Sequence, residues 1–204
     1  MQYAIIGAGG TGGVMGYFMT KAGKDVTLIA RGRHLEAMKE HGLTLERLWD
    51  PNPETIAVKA TDMEHYKEQP DVILVCVKGY SLEDTVPFIR RVAKPDTIVI
   101  PILNIYGTGA KLQKELPELL VTDGCIYVSA NIKEPGVLLQ HGKILRIVFG
   151  VREKTDWRLE LEQIRQDFTD SAIDGNLSEN IRREALEKFS YVSPIGAAGL
   201  YCNA

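Results

Sequence analysis

The chain has 204 residues, 45% of them hydrophobic, so it can bury a sizeable core. Its formal net charge is −3 and its basic residues are scattered, which gives no footing for a nucleic-acid partner, and no apolar run nears the ~20 residues of a membrane span. The length exceeds one mononucleotide-binding unit and falls short of most two-domain dehydrogenases, so one complete domain plus part of another is expected.

The first strand, Tyr3 to Ile6, runs into Gly7-Ala8-Gly9-Gly10-Thr11-Gly12-Gly13 and then into an apolar helix that breaks at Gly23. That context makes the glycines a dinucleotide cradle. Gly7 permits a sharp turn, Gly9 lets a pyrophosphate approach the backbone, and Gly12 lets the helix pack tightly on the strand. The free N–H groups of the helix start face the phosphate. Gly7, Ala8, Gly9, Gly10, Thr11 and Gly12 are therefore the candidate cofactor-binding residues.

Asp25 to Arg31 reads as a buried strand of parallel-sheet type, and its end decides the cofactor. An NAD-binding unit places Asp or Glu about 20 residues past the glycine turn, on the ribose 2′-hydroxyl. Here the strand ends Ala30-Arg31-Gly32-Arg33, and a cation suits a 2′-phosphate, so Arg31 points to NADP(H) while Arg33 begins the next helix. That helix, His34 to His41, ends at Gly42. Gly42 to Glu46 and Thr55 to Lys59 read as a hairpin about Asp50-Pro51-Asn52-Pro53, a decoration on the sheet.

Asp71 to Val77 is a continuous apolar strand with Lys78 at its carboxyl end, where ligands lie in open α/β sheets. An amphipathic helix follows over Leu82 to Ala93, capped by Ser81. The strand Thr97 to Leu103 brings Asn104 to the same crevice, where a buried Asn can orient a carbonyl or a nicotinamide amide.

A helix is expected over Gly107 to Glu115 and one strand over Leu119 to Asn131. Glu134-Pro135-Gly136 turns that strand into Val137 to His141, with Lys143 to Phe149 as hairpin partner, so the sheet should end antiparallel. Trp157 to Phe168 is helical, and Asp174-Gly175-Asn176 leads into a last helix, Leu177 to Phe189, weakened beyond by Pro194, Gly196 and Gly199. The apolar stretch Ile195 to Tyr201 needs a partner surface, which predicts a homodimer.

Cys76, Cys125 and Cys202 are far apart and read as buried free thiols. His34, His41, His65 and His141 have no ligand spacing, so no metal is expected and the four are surface or structural residues. The first strand begins by residue 2, leaving no room for a signal peptide, and a cytoplasmic location is expected.

The chain resembles the ketopantoate reductase family (2-dehydropantoate 2-reductases). The resemblance rests on the glycine turn Gly7 to Gly13, Leu28-Ile29-Ala30-Arg31-Gly32, Val75-Cys76-Val77-Lys78, Pro101-Ile102-Leu103-Asn104, Gly124 to Ser129, Glu134-Pro135-Gly136 and Glu187-Lys188-Phe189, all in family order. It implies an α/β fold: a Rossmann-type NADP-binding domain with a mostly parallel sheet over residues 1–168. The beginning of a truncated all-α C-terminal domain, for substrate binding and dimerisation, would occupy 169–204.

It further implies NADPH-dependent reduction of the ketone of 2-dehydropantoate, a small 2-oxo acid, to pantoate on the way to pantothenate and coenzyme A. By resemblance Lys188 is the general acid, while Lys78 and Asn104 line the cofactor and substrate crevice. Elementary chemistry agrees, because hydride addition builds an alkoxide that an ammonium can stabilise and protonate. Apolar Phe189, Tyr191 and Val192 beside Lys188 would lower its pKa. The chain departs from the family pattern at Ile105, where glycine is usual, and at Val192 and Gly196, where substrate-holding asparagines are frequent. Two other readings stay open: a non-catalytic remnant that only holds NADP(H), and a related reductase of another 2-oxo acid.

Overall fold

In the computed structural model, which describes residues 1–202, strand β1 (Gln2–Ile6) is buried on both faces. Its side chains alternate between two apolar layers, Tyr3 and Ile5 joining one core and Ala4 and Ile6 the other. In chain order there follow α1 (Gly10–Lys21), β2 (Asp25–Ile29), α2 (Gly32–His41), β3 (Leu43–Arg47), β4 (Asp50–Ile56), β5 (Lys59–Thr61) and β6 (Val72–Val75). Next come α3 (Thr85–Val92), β7 (Ile98–Pro101), α4 (Thr108–Glu115), β8 (Leu120–Val121), β9 (Asp123–Tyr127), β10 (Ala130–Glu134) and β11 (Val137–Gln140). The last elements are β12 (Arg146–Gly150), α5 (Glu160–Asp170), β13 (Asp174–Leu177) and α6 (Ile181–Cys202).

Six strands form one sheet in the order β5-β2-β1-β6-β7-β8, and every pair is parallel. This is the Rossmann arrangement. From β1 the chain winds outward through β2 to β5, then returns to β6 beside β1 and winds the other way. The order therefore reverses between β1 and β6, and ligands of such sheets bind outside the carboxyl ends at that switch point. Gly7 leaves the end of β1 and Lys78 follows the end of β6, so topology alone brings these two together.

Two smaller sheets flank the main one. The order β10-β11-β3-β4 is antiparallel except for the parallel pair β11 and β3, and β13-β12-β9 joins a parallel pair to an antiparallel one. Helix α6 packs on β9 and β12. Among the described residues no helix is long and apolar enough to cross a membrane.

Helix α5 is stapled to the start of the chain. The buried Tyr3 hydroxyl donates to Asp167 Oδ2 at 2.6 Å, and Lys24 Nζ donates to the other carboxylate oxygen at 2.9 Å. Burial alone would raise the Asp167 carboxyl, but hydrogen bonds from Tyr3, Lys24 and Gln163 outweigh it and hold the group below its ordinary range.

Several expectations need correction. Residues 119–131 are three strands, one in each sheet, and not one, because a single apolar run serves β8, β9 and β10 in turn. The main sheet stays parallel to its end, since β11 pairs with β10 and β3 while β12 pairs with β9 and β13. The hairpin turn lies at Leu48-Trp49, with Pro51 and Pro53 inside β4; that strand is a sheet edge, where a missing N–H is tolerated. Ser81 ends a 3-10 turn rather than capping α3, which is preceded by Asp84. Leu177 belongs to β13, and α6 continues through Pro194 to Cys202. Of the three free thiols only Cys125 is buried; Cys76 is half-buried and Cys202 exposed. Residues 203–204 of the expected helical segment lie outside the described residues.

Candidate functional site

The turn between β1 and α1 has the geometry its glycines permit. Gly7 adopts φ +97°, and a Cβ there would meet the Cys76 carbonyl oxygen at 2.9 Å. At Gly12 a Cβ would lie 2.2 Å from the Gly7 carbonyl oxygen, so helix and turn touch backbone to backbone. At Gly9 the same atom would meet nothing within 4 Å, leaving the backbone open to a ligand. Gly9 is also the N-cap of α1; no side chain caps this end and its first turn holds no acidic residue, so its N–H groups and dipole are free for an anion.

A cleft of about 630 Å³ opens over this turn. Gly7, Ala8 and Gly9 form part of its wall, Arg31 and His34 come from the start of α2, and Lys78 comes from beyond β6. Arg31 and Lys78 are exposed cations. The carboxylates Asp62, Glu64 and Asp84 also face the cleft, and hydrogen bonds from His65 hold Asp62 below its ordinary range. The Cys76 thiol in the wall is pushed up to about 12 by burial and stays uncharged. Open backbone, an uncapped helix start and two cations together suit the phosphates of a dinucleotide.

Gly10, Thr11 and Gly12 form the first turn of α1 and do not line this cleft. Gly10 has a packing role that its place in the motif did not reveal: a Cβ there would lie 2.1 Å from the Ala130 carbonyl oxygen, so the helix start abuts β10.

A second, smaller hollow of about 20 Å³ holds Lys188. In the 22 residues of α6 only Ile181 and Lys188 are buried, although neighbouring Glu187 and Phe189 are exposed. Lys188 Nζ donates to Asn104 Oδ1 at 2.8 Å and to the Ile126 carbonyl, and it lies 5.1 Å from the centre of the Tyr127 ring. Burial lowers its pKa from the ordinary lysine value. Burial also raises the adjoining Cys125 thiol, which stays neutral.

Asn104, expected to be buried, is exposed. It meets Lys188 from the middle of the loop between β7 and α4. Ile105, in the wall of the Lys188 hollow, lies against Gly79, the residue after Lys78: a Cβ there would lie 2.3 Å from its Cδ1. Tyr106 and Phe189 form a ring pair, centroids 6.1 Å apart, beside Lys188.

Sequence reasoning assigned no role to the Ile126 carbonyl or the Tyr127 ring, whose meaning depends on α6 crossing β9. It left His34 among the surface or structural histidines. His34 is half-buried in the cleft wall, with Nε2 2.9 Å from the Ala8 carbonyl oxygen and Nδ1 3.0 Å from the Gly136 nitrogen.

The model of the Ketopantoate reductase PanE/ApbA family matches residues 3–154. The 2-dehydropantoate 2-reductase of Pyrococcus horikoshii is 30% identical over 200 residues, an overlap covering 97% of this chain and 64% of that protein. The chain thus spans less than two thirds of that relative's length. Among solved structures, 2-dehydropantoate 2-reductase from Porphyromonas gingivalis W83 superposes with a TM-score of 0.89 at 25% identity, over 100% of this chain and 73% of that one. A ternary structure of D-mandelate dehydrogenase with NADH and anilino(oxo)acetate superposes with a TM-score of 0.81 at 23% identity, over 91% of this chain and 59% of that one, a likeness of fold alone.

Proposed function

Because the chain belongs to the ketopantoate reductase PanE/ApbA family, a family of dinucleotide-dependent oxidoreductases, we propose that it binds NADP(H) over its glycine turn and reduces the ketone of 2-dehydropantoate to pantoate, toward pantothenate and coenzyme A. Residues 1–168 would carry the nucleotide, and residues 169–204 would open the helical part that serves substrate and dimer. The observation that carries this reading is the burial of Lys188, the one cation brought to bear on Asn104 from a helix that is otherwise almost wholly exposed.

In this reading the N–H groups at the start of α1 hold the pyrophosphate, and the Arg31 guanidinium grips the 2′-phosphate through charge-assisted hydrogen bonds. Lys78 and Asn104 orient substrate and nicotinamide at the carboxyl edge of the sheet. When bound, the reduced nicotinamide supplies a hydride to the ketone carbon. Lys188 holds the proton that the ketone oxygen takes up. Two of its three N–H bonds are engaged by Asn104 and Ile126, which aims the third, and its lowered pKa eases the transfer.

Steady oxidation of NADPH on addition of 2-dehydropantoate is the expected result. Tight NADPH binding without turnover on any 2-oxo acid would instead identify a nucleotide-holding protein. A reductase of another 2-oxo acid is favoured by one feature: Ile105, Tyr106, Phe189 and Val192 make the surroundings of Lys188 apolar. A panel of 2-oxo acids with polar and apolar side chains separates the two.

Exposed Tyr191, Ile195, Leu200 and Tyr201 along α6 support a homodimer, which sedimentation would reveal as twice the chain mass. Free thiols fit the reducing cytoplasm.

A further inference from the structure

We propose that His34 is a positioning residue of the nucleotide cleft: its neutral ring fixes the direction of the Gly9 N–H by holding the Ala8 carbonyl, and ties that loop to the turn at Gly136. The inference rests on the nucleotide reading above and adds to it a residue that touches neither phosphate nor substrate.

The tautomer follows from the partners. The Gly136 N–H can only donate, so His34 Nδ1 carries the lone pair that accepts it at 3.0 Å. In a neutral ring the hydrogen then sits on Nε2, which donates to the Ala8 carbonyl oxygen at 2.9 Å. Burial lowers the pKa of His34, which keeps the ring in this form.

The consequence for the loop is geometric. Among the described residues no peptide bond is cis, and in a trans peptide the C=O and N–H point opposite ways. Holding the Ala8 oxygen toward the ring therefore turns the Gly9 N–H away from it. Gly9 has no side chain, and its only backbone anchor is its carbonyl, which accepts from the Gly13 N–H at 2.7 Å; His34 supplies the constraint on the N–H side of the residue that the glycine gives up.

The far end of the bridge is itself anchored. Gly136 adopts φ +78°, its carbonyl accepts from the Thr44 N–H at 2.9 Å, and a Cβ on it would lie 3.0 Å from Ala37 Cβ. The Glu134-Pro135-Gly136 turn thus reaches the nucleotide loop through one imidazole, although it lies in another sheet.

Titrating the chain with NADPH tests this. His34→Ala should weaken binding on the order of tenfold, the worth of one well-placed hydrogen bond. His34→Gln, whose amide can still donate to the Ala8 oxygen, should return to within about threefold of the parent, a rescue that a purely structural role would not give. His34→Ala binding as tightly as the parent overturns the inference while leaving the nucleotide reading intact, whereas a parent chain that binds no NADPH overturns both. If the variants do not fold, nitrogen-15 NMR of the nucleotide-free parent decides: hydrogen on Nε2 is expected, and hydrogen on Nδ1 refutes the bridge.

Discussion

Lys188 Nζ donates to Asn104 Oδ1 at 2.8 Å across 84 residues of chain, joining the exposed last helix to the loop after a central strand. Removing the amine while keeping the helix separates chemistry from folding. Lys188→Ala should lower turnover by about a hundredfold or more, the usual worth of a general acid, with NADPH affinity within about twofold of the parent. A loss below about tenfold in a steady-state assay would dismiss the proton-donor role.

The same burial sets a pH limit. A donor must be protonated, and Lys188 holds its proton less firmly than an ordinary lysine of pKa 10.5 because burial disfavours its charged form. Turnover should therefore be full on the acid side and decline as pH rises through the lowered value, before 10.5 is reached. A rate profile level up to that pH contradicts the assignment.

Arg31 stands exposed at the cleft, where it is free to meet a 2′-phosphate. A charge-assisted hydrogen bond of about 1.5–3 kcal/mol corresponds to roughly ten- to a hundredfold in affinity. Arg31→Ala should weaken NADPH by that factor and leave NADH within about twofold. Equal weakening of the two, measured by calorimetry, would remove the basis for NADP preference.

The glycine turn separates stability from binding. Gly12→Ala drives a methyl to 2.2 Å from the Gly7 carbonyl oxygen, backbone that cannot swing aside. It should cost about 1–3 kcal/mol and lower the melting temperature by several degrees. Gly9→Ala meets open space at an ordinary φ of −76°, so it should cost about 0.5–1 kcal/mol, the loss of a tolerated N-cap, yet obstruct NADPH. Reversal of these two results in paired melts and titrations would show that the motif has been read backwards.

The nucleotide half of the molecule is legible in the sequence because its signals are local. An apolar strand, glycines and an apolar helix follow within 21 residues, and Lys78 and Asn104 each stand three residues beyond the ends of β6 and β7. Pairing partners are not local. Residues 119–131 carry no mark that splits them among three sheets, and Pro51 and Pro53 signal a turn as readily as an edge strand.

The Lys188 site is less legible for the same reason. Nothing in the spacing of α6 sets Lys188 apart from an ordinary surface lysine, since its burial is made by β9 and the Asn104 loop; only the family resemblance marked it. His34 is invisible in this way too, because its partners Ala8 and Gly136 lie 26 and 102 residues away.

The bond from Tyr3 to Asp167 spans 164 residues, which has a bearing on biosynthesis. Strand β1 carries a phenol that is sealed in the interior and meets its carboxylate acceptor only when α5, 164 residues further along the chain, is made. Until then the sealed hydroxyl has only the weak Met1 thioether as acceptor, and lacking its carboxylate costs up to about 1–3 kcal/mol, so the early nascent chain cannot settle fully. Proteolytic trimming that removes α5 would leave the same phenol without its carboxylate beneath an otherwise complete parallel sheet.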